Sequence, residues 1–344
     1  MFTVSKESIK KTLMRPEFFV LLTIILLSLF IQFKSGVFFT NNNIVDILRS
    51  MIVPGMFALC AYLGFISTGP DISFPLIAAL SSYIATEFVF ATGYNGPIIV
   101  VFLIAIVCGL LMGAVNGFII AKYKFPSLIV TLATTSIFSG ILLGVFQAGR
   151  VNLPPVMQEF GRNSLISVVN PVTGLGSALP MTFLIFIGIY LAAYLVLNFT
   201  MIGRGVYAVG GDETSAERAG FNVKRIQFGV FTINGGIAAI AGVCYSAQSM
   251  FFLPTEFAGM EMIVIAAVIL GGTRLMGGVG TLTGCILGTL LITIISNSLI
   301  LVGAPITWQR FIIGAIIIAG TAISVIQVQN VKSSKQSLLK KGVA

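Results

Sequence analysis

Long apolar runs separated by isolated charges set the pattern of this chain. No charged side chain lies between Arg49 and Asp71, Glu87 and Lys122, Lys124 and Arg150, Arg162 and Arg204, Arg225 and Glu256, Arg274 and Arg310, or Arg310 and Lys332. A helix needs about 20 apolar residues to cross a bilayer, and these runs, divided at their Pro, Gly and Asn clusters, predict about ten spans. They fall near residues 18–33, 44–66, 72–91, 97–121, 127–147, 180–200, 229–249, 260–276, 281–301 and 309–329. The fold class expected is an all-α polytopic membrane protein of about ten transmembrane helices.

Charge then orients the spans. Lys6, Lys10, Lys11 and Arg15 precede the first run, and Lys332, Lys335, Lys340 and Lys341 follow the last with no acidic residue among them. Basic residues stay on the cytoplasmic side, so the N- and C-termini are both read as cytoplasmic and the number of crossings as even. Threading from that start puts Lys122, Lys124 and the stretch from Arg204 to Arg225 on the cytoplasmic face, and the loop from Gln147 to Pro180 outside. The expected organisation is a cytoplasmic N-terminus over 1–17, a transmembrane domain over 18–329 with a cytoplasmic loop at 201–228, and a basic cytoplasmic tail over 330–344. A cleaved signal peptide is the alternative for the first run. Its 16 residues between Glu17 and Lys34 exceed a typical signal-peptide core and no A-x-A site follows, so a retained helix is expected.

Composition agrees with lipid as the solvent. Hydrophobic residues make up 57% of the chain and charged residues 9%, against about 25% charged in a soluble domain, and the mean hydropathy is +1.04. This excludes a secreted, nucleic-acid-binding or disordered protein. The absence of His removes the commonest metal ligand and the usual acid/base group at neutral pH. Cys60, Cys108, Cys244 and Cys285 stand singly in apolar stretches and read as small core residues. With no Ser/His pair, HExxH or clustered Asp pair, no catalytic residue and no metal site is assigned.

Gly109, Gly113 and Gly117 repeat at a helical spacing of four in the fourth run, and Gly280, Gly284 and Gly288 do so in the ninth. Small residues so spaced let helix backbones approach closely in lipid. Because those two runs thread in opposite directions, the echo suggests two inverted five-helix halves.

Some stretches do not read as plain helix. Thr68 to Pro75, TGPDISFP, interrupts the apolar sequence with two prolines, a glycine and a carboxylate. It is either a short cytoplasmic turn in which Asp71 caps the next helix or a broken helix lining a pathway at membrane depth. Glu87 and Glu261 lie inside or at the edge of apolar runs, where an ionisable group is costly. From Gly203 to Gln227 the chain is polar and nearly balanced in charge, and Asp212 opens a short helical stretch that Gly220 stops. An exposed helix between two spans has little to bury unless another protein covers it.

Four blocks carry a resemblance that covers nearly the whole chain: TGPDISFP (68–75), FPSLIVTLATTSIFSGI (125–141), GRGVYAVGGDETSAERAGFNV (203–223) and LGGTRLMGGVGTLTGCILG (270–288). The chain resembles the single-domain permeases of the ribose-type sugar importers of the ATP-binding cassette (ABC) superfamily, within the branched-chain amino acid/ribose permease group. Pro70 and Phe74–Pro75 depart from that family's GIDLSVG-like segment, while Asp71 favours sugars over the amino-acid and nucleoside relatives.

The resemblance implies a multi-pass protein of the bacterial cytoplasmic (inner) membrane that imports a simple sugar or polyol. A nucleoside or an autoinducer-like sugar derivative is the alternative cargo. It implies a cytoplasmic ATPase, an extracytoplasmic sugar-binding protein and a second permease, copy or homologue; no nucleic acid is expected. No G-x-x-x-x-G-K-[ST] occurs, so no cofactor is bound directly and ATP with Mg belongs to the ATPase. The ATPase would grip Gly210, Gly211, Asp212, Glu213, Ala216, Glu217 and Gly220, with the glycines as hinges and the sixth and seventh spans as levers. Glu213→Lys and Ala216→Trp are expected to leave folding intact while lowering transport. For the substrate path the candidates are Asp71, Ser73, Asn116, Thr131, Thr134, Asn234 and Gln248, with Thr135 and Asn297 as further hydroxyl or amide groups; helix–helix hydrogen bonds are the competing role for each. A self-sufficient secondary carrier or channel, using Asp71, Glu87 and Glu261 as ion or proton sites, is the rival reading.

Overall fold

A computed structural model describes residues 16–169, 174, 176–275, 277–303, 305, 308, 311, 314–315 and 318. Its helices run α1 (Pro16–Ser35), α2 (Asn41–Ser67), α3 (Phe74–Thr92), α4 (Ile99–Tyr123), α5 (Ser127–Gly140, continued by a π-helical turn Ile141–Val145), α6 (Pro155–Arg162), α7 (Thr182–Phe199), α8 (Met201–Gly211), α9 (Glu213–Arg218), α10 (Val223–Ser249), α11 (Met260–Leu270) and α12 (Leu282–Leu301). Eight of them, counting α5 with its π turn, are long and apolar enough to cross a membrane among the described residues. The chain is a polytopic membrane protein.

Three helices form the centre. Every residue from Gly55 to Ser67 of α2 is buried, as are most of α3 and the inner face of α10. Around them α1, α4, α5 and α7 turn Leu26, Phe33, Leu111, Ile129 and Leu191 outward, as suits a body whose solvent is hydrocarbon.

Close approach at the centre depends on glycine. A Cβ on Gly109 or Gly113 would strike backbone of α10 at Gly235 and Phe231, and one on Gly242 of α10 would strike the Ala78 carbonyl of α3. Gly284 and Gly288 of α12 meet Gly271 and Ala267 at the end of α11 in the same way. The first glycine stripe thus lies in a helix–helix contact, as do Gly284 and Gly288 of the second, while Gly280 precedes α12 and lies against the side chains of Thr273 and Tyr62.

The structure corrects several expectations. The eighth run, expected over 260–276, holds only the 11 residues of α11. At 1.5 Å per residue this is about 16 Å, so the run is not one continuous helix across hydrocarbon of about 30 Å. Gly271 and Gly272, the latter at φ +92°, end the helix inside the apolar run. The polar loop 201–228 is largely helical, because Thr200, Asp212 and Asn222 cap α8, α9 and α10 through their side chains.

The chain is also not purely helical. β1 (Val151–Asn152) pairs antiparallel with β4 (Phe251–Phe252), and β2 (Ser164–Val169) with β3 (Gly176–Pro180). The hairpin is anchored to the start of α2 by Asn42 Nδ2 donating to the Val168 carbonyl (3.2 Å) and Ser177 Oγ to Asp46 Oδ2 (3.0 Å). The other end of α2 meets α8, so the hairpin and the α8–α9 segment mark opposite ends of the bundle. Most of the tenth expected span, and the basic tail, lie outside the described residues.

Candidate functional site

The backbone leaves helical geometry after Ser67 and re-enters it at Phe74. Thr68 N and Gly69 N both donate to the Gly64 carbonyl (2.9 Å each), and Gly69 takes φ +146°, a conformation that favours glycine. The chain then folds back along α2, bringing Asp71 beside Cys60. Asp71 is 1% exposed. Its Oδ1 accepts from Ser73 N (2.9 Å) and Ser73 Oγ (2.7 Å), an Asx turn that precedes the first turn of α3. Its Oδ2 accepts from Asn234 Nδ2 (3.3 Å), which also donates to the Cys60 carbonyl (2.9 Å).

From α4, Asn116 Nδ2 donates to Ser73 Oγ (2.8 Å). From α5, Thr131 Oγ1 accepts from Ile72 N (3.4 Å) and Thr135 Oγ1 donates to the Ile72 carbonyl (3.4 Å). Asn116 lies seven residues from the end of α4 and Asn234 eleven from the start of α10, depths of about 10 and 16 Å. Irregular backbone at such depth is tolerated because protein surrounds it and satisfies it. The Asp71 carboxyl group has no cationic partner among the described residues; its two oxygens accept from those three donors.

Beside this node runs a lateral groove of about 620 Å³. Its wall includes Leu76, Thr135, Ser136, Ser139, Thr255 and Glu261. Thr135 therefore touches both the groove and the Asp71 segment. The π-helical turn continues α5 along the same wall through Leu142 and Leu143, a helical irregularity frequent at functional sites. Glu261 Oε2 accepts from Gly259 N (3.1 Å), which holds the carboxylate at the start of α11.

At the far end of α2, Asp212 Oδ1 accepts from Ser215 N (2.7 Å) and Thr214 Oγ1 (2.9 Å) and starts α9. Hydrogen bonds from Ser215 and Thr214 hold the Asp212 carboxyl below the usual carboxylate range. Ala216 is buried against Val209 and Val223. Glu213 pairs with Lys124 (2.8 Å) and accepts from Gln227 Nε2 (2.5 Å), tying α9 to the ends of α4 and α10. Glu217, Arg218 and Asp212 face outward.

Comparison with known proteins matches residues 43–320 to the family described as branched-chain amino acid transport system / permease component. The chain belongs to this permease family. Ribose import permease protein RbsC of Haemophilus influenzae is 33% identical over 76% of this chain and 78% of its own. RbsC of Escherichia coli is 29% identical over 88% and 92%, and fructose import permease protein FrcC of Rhizobium meliloti 33% over 84% and 79%. No solved structure matches the chain significantly.

Of the residues singled out in this permease, Asp71, Ser73, Asn116 and Asn234 meet directly, and Thr131 joins them through Ile72 N. Thr134 is buried one turn along and bonds only within α5, to the Thr131 carbonyl (3.2 Å). Gln248 lies apart at the hairpin end, donating to Thr182 Oγ1 (2.8 Å). Asn297 donates to the Asp46 carbonyl (3.3 Å) and Glu87 is half-buried near the end of α3. The expectation that Asp71 caps α3 is corrected: Ser73 occupies the cap position, and Asp71 instead closes the turn before it.

The hinge reading of Gly210 and Gly211 is corrected too. Both lie inside α8, and Gly210 is a contact residue with no room for a side chain; only Gly220, at φ +87°, turns the chain. Burial of Ala216 means that Ala216→Trp breaks local packing, and Glu213→Lys would set one lysine on another at Lys124, so neither is a fold-neutral probe. The sequence reading missed Ser136, Ser139 and Thr255. Thr135, Ser136 and Ser139, whose spacing sets three hydroxyls on one side of a mostly apolar helix, were the available signal.

Proposed function

We propose that this chain is the membrane-spanning subunit of an ATP-driven importer for a simple sugar, working in the bacterial inner membrane. The observation that carries the reading is α9, a short capped helix seated on the end of the bundle through Ala216 and Glu213 with Asp212, Glu217 and Arg218 facing outward, in a chain whose relatives include ribose and fructose import permeases. An ATPase that binds ATP and Mg would dock there, and a sugar-binding protein would deliver cargo at the hairpin end. The ATPase must be a separate chain because this one carries no nucleotide fingerprint of its own.

The reading includes about ten spans in two inverted halves with cytoplasmic termini. Packing supports the halves: with α2, α3 and α4 matched to α10, α11 and α12, the contact of α4 with α10 has its counterpart in α12 with α2. The contact of α3 with α10 corresponds likewise to α11 with α2, and α3 with α4 to α11 with α12.

The groove along α5 is read as one wall of the substrate path, its hydroxyls suited to a neutral polyol, and the Asp71 node as the frame that shapes that wall. A second permease, facing the exposed Leu132, Ser136 and Gly140 of α5, would close it.

Uptake by liposomes containing this chain, its ATPase and its binding protein tests the proposal. ATP-dependent sugar uptake that stops when the ATPase's catalytic Glu is replaced is the expected result. Uptake by the permease alone would sink it in favour of a secondary carrier.

A further inference from the structure

In the lever picture, the ATPase stroke reaches the bilayer by dragging α7 and α10. The contacts of α8 describe a shorter route. A Cβ on Gly210 would meet the Ile66 carbonyl and lie 2.7 Å from Gly278 N, so the backbones of α8 and α2 are stacked without side chains between them. Gly277 and Gly278, both at positive φ, pack directly on the backbone of Gly210 and Gly211. One turn earlier, Tyr207 and Tyr62 share a hydroxyl–hydroxyl hydrogen bond of 2.6 Å. Ile66 immediately precedes the break after Ser67, and a Cβ on Gly64, whose carbonyl anchors that break, would lie 3.4 Å from Asp71 Cβ. Only Asp212 separates α8 from α9, and its N–H still bonds back to Ala208 (3.1 Å), so the two helices move as nearly one piece.

Resting on the importer reading above, we propose that α8 passes the stroke of the ATPase directly into α2 and the Asp71 break, through the Gly210–Ile66 stack and the Tyr207–Tyr62 bond. Packed backbones transmit displacement because they have no soft side chain to absorb it. Displacement of Ile66 moves the Gly64 carbonyl and the turn it anchors, and with them the Thr135 wall of the groove. Gly210 and Tyr207 are thus positioning residues that touch neither nucleotide nor sugar.

The test is the full complex of permease, ATPase and binding protein in lipid nanodiscs or liposomes, with Gly210→Ala, Tyr207→Phe and, as control, Gly229→Ala, whose Cβ meets nothing within 4 Å. The readout is sugar taken up per ATP hydrolysed, a ratio that a merely structural loss of complex does not move. Gly210→Ala should lower it about tenfold and Tyr207→Phe about fivefold, in the usual range of coupling between sites, with Gly229→Ala unchanged. Tyr207→Phe removes one oxygen only and keeps the test alive if Gly210→Ala does not fold. Wild-type ratios in both variants would overturn the route. A wild-type permease that binds no ATPase would overturn the importer reading and this inference together.

Discussion

Asn234→Ala probes the node at its least redundant point. Among the described residues Asn234 Nδ2 is the one side-chain donor to Asp71 Oδ2, at 3.3 Å, and it also holds the Cys60 carbonyl at 2.9 Å. A hydrogen bond to a charged group contributes about 1.5–3 kcal/mol, and this one, slightly long, belongs near 1.5. The bond to Cys60 adds about 0.6–1 kcal/mol in a membrane interior, and the emptied amide volume costs about 1 kcal/mol more. The sum is about 3 kcal/mol, or on the order of 100-fold in the unfolding equilibrium.

Titration of purified permease with SDS in mixed micelles measures it, with Gln248→Ala as reference. Gln248 makes a single side-chain bond, to Thr182 Oγ1, and its loss should cost about 1 kcal/mol. The decisive quantity is the coupling in a double-mutant cycle of Asp71→Asn with Asn234→Ala, expected near 1 kcal/mol or above. Coupling under about 0.3 kcal/mol, within the additivity of independent sites, would refute the claim that Asn234 holds a buried carboxylate.

Glu217→Lys reverses an exposed charge on α9 that has no packing role; melting should be unchanged and ATPase affinity about tenfold weaker, as read by co-purification at graded salt. The Asp212 cap should depend on pH. Because its carboxyl is held below the ordinary range, its contribution to α9 is complete above the unfolded-state carboxylate pKa and is lost as pH falls through the depressed value. Hydrogen-exchange protection of the Ser215 amide should therefore drop on acidification in the wild type and stay flat in Asp212→Asn; equal pH profiles would contradict the assignment. Gly113→Val forces a side chain onto the Phe231 carbonyl and should destabilise by about 1–3 kcal/mol, whereas Gly188→Ala, facing open space on α7, should be silent in the same SDS titration. Ser136→Trp fills the groove and should abolish uptake while ATPase binding persists; normal uptake would remove the groove from the substrate path.

Sequence pattern carried most of the span layout because lipid imposes one rule, about 20 apolar residues without charge, that local composition records directly. It failed where the rule is blind. Residues 260–276 are apolar throughout except Glu261, Thr273 and Arg274, so only Gly271–Gly272 betrayed the early stop of α11. The strand pair 164–169 and 176–180 is readable in Leu165-Ile166-Ser167-Val168-Val169 followed by Asn-Pro and Thr-Gly turn signals, a pattern hidden when Gln147 to Pro180 is taken as one external loop. Asn116, Asn234 and Gln248 looked alike as lone amides in apolar runs. What separates the first two from the third is which helices approach them, and in a membrane helix apolar all round no hydrophobic face announces its neighbour.

That neighbour is announced by glycine instead. Asn116 directly precedes Gly117, and Asn234 directly precedes Gly235. Gly113 and Gly235 let α4 and α10 approach with little more than backbone between them, and Gly117 meets the Phe228 backbone one turn away. A side chain there would set the helices apart by the width of a methyl group or more. Asn116 reaches Ser73 at 2.8 Å and Asn234 reaches Asp71 at 3.3 Å, so neither bond has slack for such a shift. The glycine stripe and the carboxylate node are therefore one device: the stripe fixes the separation of two helices, and that separation brings two amides to the irregular turn. A carboxylate in this position would be costly in any looser bundle, which ties the acid at residue 71 to the small residues at 113, 117 and 235 although nothing in their sequence spacing connects them.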